Sequence, residues 1–167
     1  ADTQTAAEHA GDRTRRRTDA PDGSLLMIYL DTSAAVPLFV AEPSSDQVDD
    51  WISACEIPLV SSDWIITEFA SALSIKERSG ALTAKDAKAA WRSFQAFCQS
   101  GLRLAPVSRQ AFAEAAKMVR EPAHGLRSSD ALHLAVALEI GAKTIATLDA
   151  TMTGNAKRLK LKTVAFS

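Results

Sequence analysis

Two aspartates stand where parallel strands would deliver them to a common edge. Asp31 directly follows the apolar run 25–30, and Asp149 directly follows the predicted strand 143–148. The carboxyl ends of parallel strands line the ligand crevice of an open sheet, so the two carboxylates are expected to meet there. An aspartate in either place can also simply cap the next helix. As a pair, they predict a site for a hard divalent cation, which prefers carboxylate oxygens.

Two further acids lie on predicted helices that could bring them to the same edge. Glu68 falls in the second turn of a helix with an apolar flank, where a carboxylate is often only a solvated charge. Asp130 begins an almost wholly apolar helix, where an acid commonly serves the helix dipole. If all four carboxylates share one crevice, their repulsion favours a bound cation. Oxygen ligands without cysteine or histidine favour Mg²⁺, with Mn²⁺ as a substitute.

The elements that must position these acids alternate along the chain. Short apolar runs typical of buried parallel strands are separated by segments with helical spacing, which predicts an α/β fold with a parallel sheet between helix layers. The predicted strands cover 25–30, 57–60, 102–107, 143–148 and 163–166. The predicted helices cover 33–40, 44–55, a segment from 63 to about 79, 84–100, 109–120, 130–140 and 152–159.

The length, composition and charge of the chain limit its possible fold and function. The chain has 167 residues, 47% of them hydrophobic, which suits one globular domain. Residues 1–25 are small and polar and predict a flexible extension, so the domain is placed at 26–167. The net charge of −1 gives no general sign of nucleic-acid binding, so an RNA site would have to be local. Two widely spaced cysteines, Cys55 and Cys98, predict free thiols, and together with the lack of a membrane-spanning run they favour a cytoplasmic protein.

The order of these motifs resembles a known family. Leu30-Asp31-Thr32-Ser33 ends the first strand, a helical Glu68-Phe69-Ala70 follows, then comes the segment 126–135 (LRSSDALHLA), and Thr147-Leu148-Asp149 ends the fourth strand. This order is similar to that of the PIN-domain nucleases of the VapC toxin branch, over about residues 26–167.

The resemblance implies a PIN-like three-layer α/β/α sandwich with a five-stranded parallel sheet in the order 3-2-1-4-5. It assigns metal binding and catalysis to Asp31, Glu68, Asp130 and Asp149, with the hydroxyls of Ser33 and Thr147 supporting them. Many relatives carry another acid shortly after the last aspartate, where this chain has Thr153. A second metal would therefore be held less well.

The resemblance also implies a function. The chain would be a Mg²⁺- or Mn²⁺-dependent endoribonuclease toxin that cleaves RNA by metal-activated water, forms a homodimer and is neutralised by a cognate VapB-type antitoxin. Arg127, Lys76 and Arg78 are candidate contacts for RNA or antitoxin, although an ordinary solvated face explains the basic residues of the Glu68 helix as well. His133, one turn after Asp130, is interpreted as a hydrogen-bonded core histidine, since metal-assisted hydrolysis needs no histidine base.

Two alternatives stay open at this point. A regulatory RNA-binding module could use the same acids to hold a structural cation without turnover. A related structure-specific nuclease could use them on DNA, although such proteins are generally larger. A phosphatase is disfavoured, because those enzymes usually carry two acids two residues apart after the first strand and this chain has only Asp31 there.

Overall fold

The computed structural model describes residues 26–166, so the predicted extension 1–25 lies outside the described residues. The strands are β1 (Ile28–Leu30), β2 (Leu59–Ser62), β3 (Arg103–Ala105), β4 (Thr144–Ala146) and β5 (Lys162–Thr163). The helices are α1 (Thr32–Ala35), α2 (Ser45–Ala54), α3 (Trp64–Arg78), α4 (Ala84–Ser100), α5 (Arg109–Val119), α6 (Ser128–Glu139) and α7 (Ala150–Arg158). Short 3-10 helices cover Val36–Leu38 and Pro122–His124.

The five strands form one sheet in the order β3-β2-β1-β4-β5, with every neighbouring pair parallel. The predicted fold class and strand order are therefore confirmed. Parallel neighbours need long crossover connections, and the helices between the strands supply them. In this order β1 is central, and it pairs with β2 on one side and with β4 on the other.

Alternating side chains of β1 face two separate hydrophobic clusters. Tyr29 belongs to the cluster that contains the buried residues of α5, α6 and α7. Ile28 and Leu30 belong to the cluster that contains those of α1, α3 and α4. The period of two in a strand sends neighbours to opposite faces, so the sheet carries a helix layer on each side.

Several helices begin at side-chain caps that the sequence made visible. The hydroxyl of Thr83 accepts from the N–H of Asp86 at 3.1 Å, and the hydroxyl of Ser108 accepts from the N–H of Ala111 at 2.9 Å. Each bond satisfies a backbone donor that the first helical turn would leave unpaired. Ser128 is the first residue of α6, which therefore begins two residues before the predicted range 130–140, and Arg127 occupies the cap position.

Several elements begin or end at residues other than those predicted, among them β4, which ends at Ala146 instead of residue 148. The second strand covers Leu59–Ser62 instead of 57–60, because Ser61 and Ser62 are fully buried and hydrogen-bonded. The helix predicted over 33–40 divides into α1 and a 3-10 turn, with Pro37 in the turn. The last strand ends at Thr163 instead of residue 166, and the Phe166 ring packs edge-on against Trp51. Among the described helices, none is long and apolar enough to cross a membrane.

Candidate active site

Asp31 and Asp149 occupy equivalent places on neighbouring strands. Asp31 follows β1 and is the N-cap of α1, while Asp149 follows β4 and is the N-cap of α7. The side chain of Asp149 accepts from the N–H of Met152 through Oδ1 at 2.7 Å. Each aspartate therefore caps a helix and also lies at the carboxyl edge of the sheet, so the two interpretations of the sequence are compatible.

Hydroxyl groups fix one oxygen of Asp31. Its Oδ2 accepts from Ser33 Oγ at 2.5 Å, from Thr147 Oγ1 at 2.9 Å and from the N–H of Ser33 at 3.2 Å. The other oxygen, Oδ1, lies 3.7 Å from Nε2 of His133. The carboxylate is 4% exposed, so these donors replace most of the water it would otherwise bind.

The same hydroxyls join the loops after β1 and β4. Ser33 Oγ accepts from the N–H of Leu148 at 2.9 Å and lies 3.1 Å from Thr147 Oγ1. Thr147 Oγ1 in turn accepts from the N–H of Asp149 at 3.1 Å. The family resemblance assigned Ser33 and Thr147 to supporting the carboxylates. In the structure both hydroxyls hydrogen-bond to Asp31 and connect the loop after β1 with the loop after β4.

Glu68 reaches the edge from α3, in the helix layer opposite to that of α6. Its Oε2 accepts from Thr32 Oγ1 at 2.6 Å and is hydrogen-bonded to His133 Nε2. Burial alone would raise the pKa of Glu68, but His133 and the nearby hydroxyls of Thr32 and Ser129 lower it below its usual value. The carboxylate is therefore ionised at neutral pH.

Asp130, in the first turn of α6, completes the set of acids. Its carboxylate lies 3.4 Å from both the N–H of Arg127 and the hydroxyl of Ser129. Burial raises the pKa of Asp130, and the negative charges of Asp149, Asp31 and Glu68 raise it further. The other three predicted acids thus lie near enough to Asp130 for their charges to act on it.

His133 also belongs to the site, which the sequence did not predict. It is fully buried, with Nδ1 2.8 Å from the Tyr29 hydroxyl and Nε2 against Glu68, so it is the hydrogen-bonded core histidine that was predicted. Its ligand atom and those of Asp31 and Glu68 all lie within 4.8 Å of one another. Burial disfavours the charged ring, but Tyr29, Glu68 and Asp31 raise the pKa of His133 to about 10.

A signal for His133 was present in the spacing. Residues three apart in a helix share a face, so Asp130 and His133 had to point the same way. Residues two apart in a strand also share a face, which places Tyr29 on the side of the sheet that Asp31 faces. Neither pattern predicts that His133 contacts Glu68, a carboxylate from the opposite helix layer.

The predicted basic contacts differ in their surroundings. Arg127 is exposed at the start of α6, three residues before Asp130. Lys76 forms an ion pair with Glu42, and Arg78 donates to Ser74 Oγ at 2.5 Å on the last turns of α3. Glu68 and Lys76 are eight residues apart on this helix, which corresponds to about 12 Å along its axis. Of the three, Arg127 is nearest in the chain to a site carboxylate.

Comparisons with known proteins agree with this architecture. A family model described as PIN domain matches residues 28–157. A search of curated proteins found no match.

Solved structures with a similar fold include the following three proteins. VapC20 of Mycobacterium tuberculosis, described as a Sarcin-Ricin loop cleaving toxin, has a TM-score of 0.63 and 17% identity over 77% of this chain and 94% of that chain. VapBC2 from Rickettsia felis, bound to a DNA fragment from their promoter, has a TM-score of 0.59 and 17% identity over 85% and 100% of the two chains. FitAcB from Neisseria gonorrhoeae has a TM-score of 0.57 and 17% identity over 83% and 97%. At these identities the likeness establishes the fold.

Proposed function

Because the chain belongs to the PIN domain family, we propose that it is a metal-dependent endoribonuclease of the toxin type, neutralised by a cognate VapB-type antitoxin. The observation that carries the proposal is the meeting of Asp31 and Glu68, whose ligand atoms lie with that of His133 within 4.8 Å of one another, while the charges of Asp149, Asp31 and Glu68 all raise the pKa of Asp130. Like charges that act on one another at a sheet edge are typical of a cation site.

The donor set suits Mg²⁺ or Mn²⁺. The proposed ligands Asp31, Glu68, Asp130 and Asp149 offer carboxylate oxygens, which hard divalent cations prefer. When bound, such a cation would activate water, polarise the scissile phosphate and neutralise the leaving oxygen. Thr153, in α7, offers only a hydroxyl where many relatives carry an acid, so a second cation would have fewer ligands.

The chain's own groups would orient the reaction. Ser33 and Thr147 hold Oδ2 of Asp31, which leaves Oδ1 for the cation. The Met152 N–H similarly holds Oδ1 of Asp149 and leaves Oδ2. Asp130 would bind the cation or orient the attacking water. Fixing these oxygens in advance lowers the cost of organising the site during the reaction.

RNA would approach along the rim where Arg127 is exposed. An arginine there can pair with a phosphate next to the scissile bond. Lys76 and Arg78 stay candidates for more distant phosphates or for the antitoxin, but the ion pair with Glu42 reduces the charge that Lys76 offers. With a net charge of −1, binding would rest on such local contacts and on the cation, instead of on a general basic surface.

The antitoxin, a homodimeric assembly and a cytoplasmic site of action belong to the same proposal. They are supported by the fold likeness to proteins of toxin–antitoxin systems, among them VapBC-5 of Mycobacterium tuberculosis at 16% identity. A short reading frame directly upstream, whose product binds DNA and inhibits cleavage by this chain, would identify the antitoxin.

The test is RNA cleavage by the purified chain in Mg²⁺, in Mn²⁺ and in EDTA. We expect cleavage with either cation and none in EDTA. Asp31→Asn should lower kcat by more than about 100-fold, because it removes a charged ligand of the cation that would activate the water. Its melting temperature without metal should stay equal or rise slightly, since the substitution relieves repulsion among the acids.

Asp50→Asn, an exposed acid on α2, is the matched control and should keep full activity. RNA binding without metal-dependent cleavage would instead support a regulatory module with a structural cation. Cleavage of branched or flapped DNA in preference to RNA would support a structure-specific nuclease. Full activity of Asp31→Asn would remove this residue from the reaction.

A further inference from the structure

A buried chain of hydrogen bonds reaches the site from inside the sheet. The Tyr29 hydroxyl donates to Ser62 Oγ at 3.0 Å and lies 2.8 Å from Nδ1 of His133. Nε2 of the same ring is hydrogen-bonded to Oε2 of Glu68. Ser62, Tyr29 and His133 are all fully buried, so this chain connects β2, β1 and α6 to a carboxylate on α3. The proposed reaction makes no use of these hydrogen bonds.

We propose that Tyr29 and His133 are positioning residues that hold Glu68 in the orientation that binds the cation. This inference rests on the proposed function, because it assigns Glu68 to the metal site. A glutamate side chain has several rotatable bonds, and fixing it costs conformational entropy. The His133 ring, held at Nδ1 by Tyr29, presents Nε2 in one direction and so selects one orientation of the carboxylate.

The packing of the ring makes it a rigid support. The Tyr29 and His133 rings meet edge to face, with centroids 5.6 Å apart and an interplanar angle of 70°. Thr32 Oγ1 donates to Glu68 Oε2 at 2.6 Å and lies 3.2 Å from His133 Nε2, so it braces the same oxygen from the α1 side. Oε2 is thereby engaged by two donors, and the proposal assigns Oε1 to the cation. Outer partners of metal-binding carboxylates act in this way in many proteins.

The competing role for His133 is direct ligation of the metal. The proximity of its ligand atom to those of Asp31 and Glu68 would permit this role. The hydrogen bonds argue against it, because an ionised carboxylate only accepts, so Nε2 must carry the proton in its contact with Glu68. A nitrogen that carries a proton has no lone pair for a metal. Tyr29, which already donates to Ser62, accepts at its oxygen from Nδ1.

The experiment compares the full chain with Tyr29→Phe, His133→Leu and His133→Gln. Three quantities are measured for each: the Mn²⁺ dissociation constant by calorimetry, the melting temperature without metal, and kcat and KM for RNA cleavage. Ser61→Ala is the matched control, because Ser61 is an equally buried hydroxyl on β2 that donates to the Leu30 carbonyl at 2.8 Å and not to Tyr29.

We expect Tyr29→Phe to weaken Mn²⁺ binding and lower kcat by about 10-fold, and His133→Leu by up to about 100-fold, the range found for outer-sphere partners of metal ligands. KM for RNA should change little. His133→Gln keeps an N–H donor near the position of Nε2 and should recover much of the loss. Ser61→Ala should lower the melting temperature and leave Mn²⁺ affinity unchanged.

Three results would overturn the inference. If Tyr29→Phe and His133→Gln keep wild-type Mn²⁺ affinity and kcat while His133→Leu loses stability alone or fails to fold, the chain of bonds is purely structural. If both His133 variants lose Mn²⁺ binding while Tyr29→Phe has no effect, the imidazole is a ligand. If the unaltered chain binds no Mn²⁺, both the inference and the proposed function fail. If it binds Mn²⁺ without cleaving RNA, the ribonuclease proposal alone fails, and the Mn²⁺ affinities of the variants still decide the positioning role.

Discussion

Individual side chains at the sheet edge each serve two purposes. Asp31 and Asp149 cap helices through one carboxylate oxygen each, and the proposed function assigns the other oxygen to the cation. Thr147 donates to Asp31 and accepts from the N–H of Asp149. A single substitution here therefore changes local structure and chemistry together, and a test must separate the two.

Thr147→Val makes that separation possible, because valine keeps the shape and removes the hydroxyl. We expect Mn²⁺ affinity to fall about 10-fold, since Asp31 loses a donor that orients it. The free energy of unfolding should fall by about 1–3 kcal/mol, because the N–H of the half-buried Asp149 loses its acceptor. Calorimetric titration and urea unfolding measure the two effects.

Thr144→Val, at the start of β4, the strand that precedes Thr147, is the control for the loss of a threonine hydroxyl. It should leave Mn²⁺ affinity unchanged. Equal effects of the two substitutions on Mn²⁺ binding would show that Thr147 has no special relation to the carboxylates.

At the scale of elements, two glycines show how the backbone at the end of a helix differs from the backbone inside one. Gly141 follows α6 with a φ of 76°, the left-handed conformation that ends many helices and that favours glycine. Gly154 lies inside α7, where glycine only adds flexibility to the unfolded chain. An added Cβ would meet nothing within 4 Å at either position. Backbone conformation alone therefore distinguishes them.

Alanine at these two glycines should have opposite effects. Gly141→Ala should destabilise the protein by about 1–2 kcal/mol, the cost of a left-handed residue with a side chain. Gly154→Ala should stabilise it by about 0.5–1 kcal/mol, because alanine favours the helix interior. Thermal and urea unfolding of both variants measure this difference. Effects of the same sign would contradict the assigned backbone conformations.

The parts of the fold that the sequence predicted are those with a strong local signal. Apolar runs followed by Asp31 and Asp149 marked β1 and β4, and helical spacing marked α4 over the range that the structure shows. The end of β2 was missed because Ser61 and Ser62 are polar, and their burial depends on partners in β1. Local pattern contains no information about such long-range partners.

The candidate site also combines residues that the sequence predicts with a contact that it does not predict. Its four acids were predictable, because each one stands at a strand end or on a helix with a clear apolar face. The contact between His133 and Glu68 was not predictable, since it joins residues from opposite helix layers. Their meeting depends on how far each layer extends past the end of β1, which is a property of tertiary packing.

For the molecule as a whole, cation binding should be linked to stability. A ligand that binds only the folded state stabilises it by about 2.7 kcal/mol at a concentration 100 times its dissociation constant. For a chain of this size, that free energy corresponds to a rise in melting temperature of about 5–10 °C.

We therefore expect Mn²⁺ at that excess to raise the melting temperature of the unaltered chain by this amount and that of Asp31→Asn by much less. Scanning calorimetry with and without Mn²⁺ measures the shift. An equal rise in Asp31→Asn would mean that the cation acts elsewhere on the protein. The comparison needs no RNA, so it tests the site independently of turnover.

The order in which the chain is synthesised also determines when the candidate site can form. Asp31 and Glu68 are made early in synthesis, but β4, Asp149 and the capping helix α7 are made last. A nascent chain released before β4 would contain Asp31, Glu68 and Asp130 but would lack Asp149, as well as Thr147, which donates to Asp31. Under the proposed function, the site is therefore completed only after β4 and Asp149 have been made, and a product truncated before them would not cleave RNA.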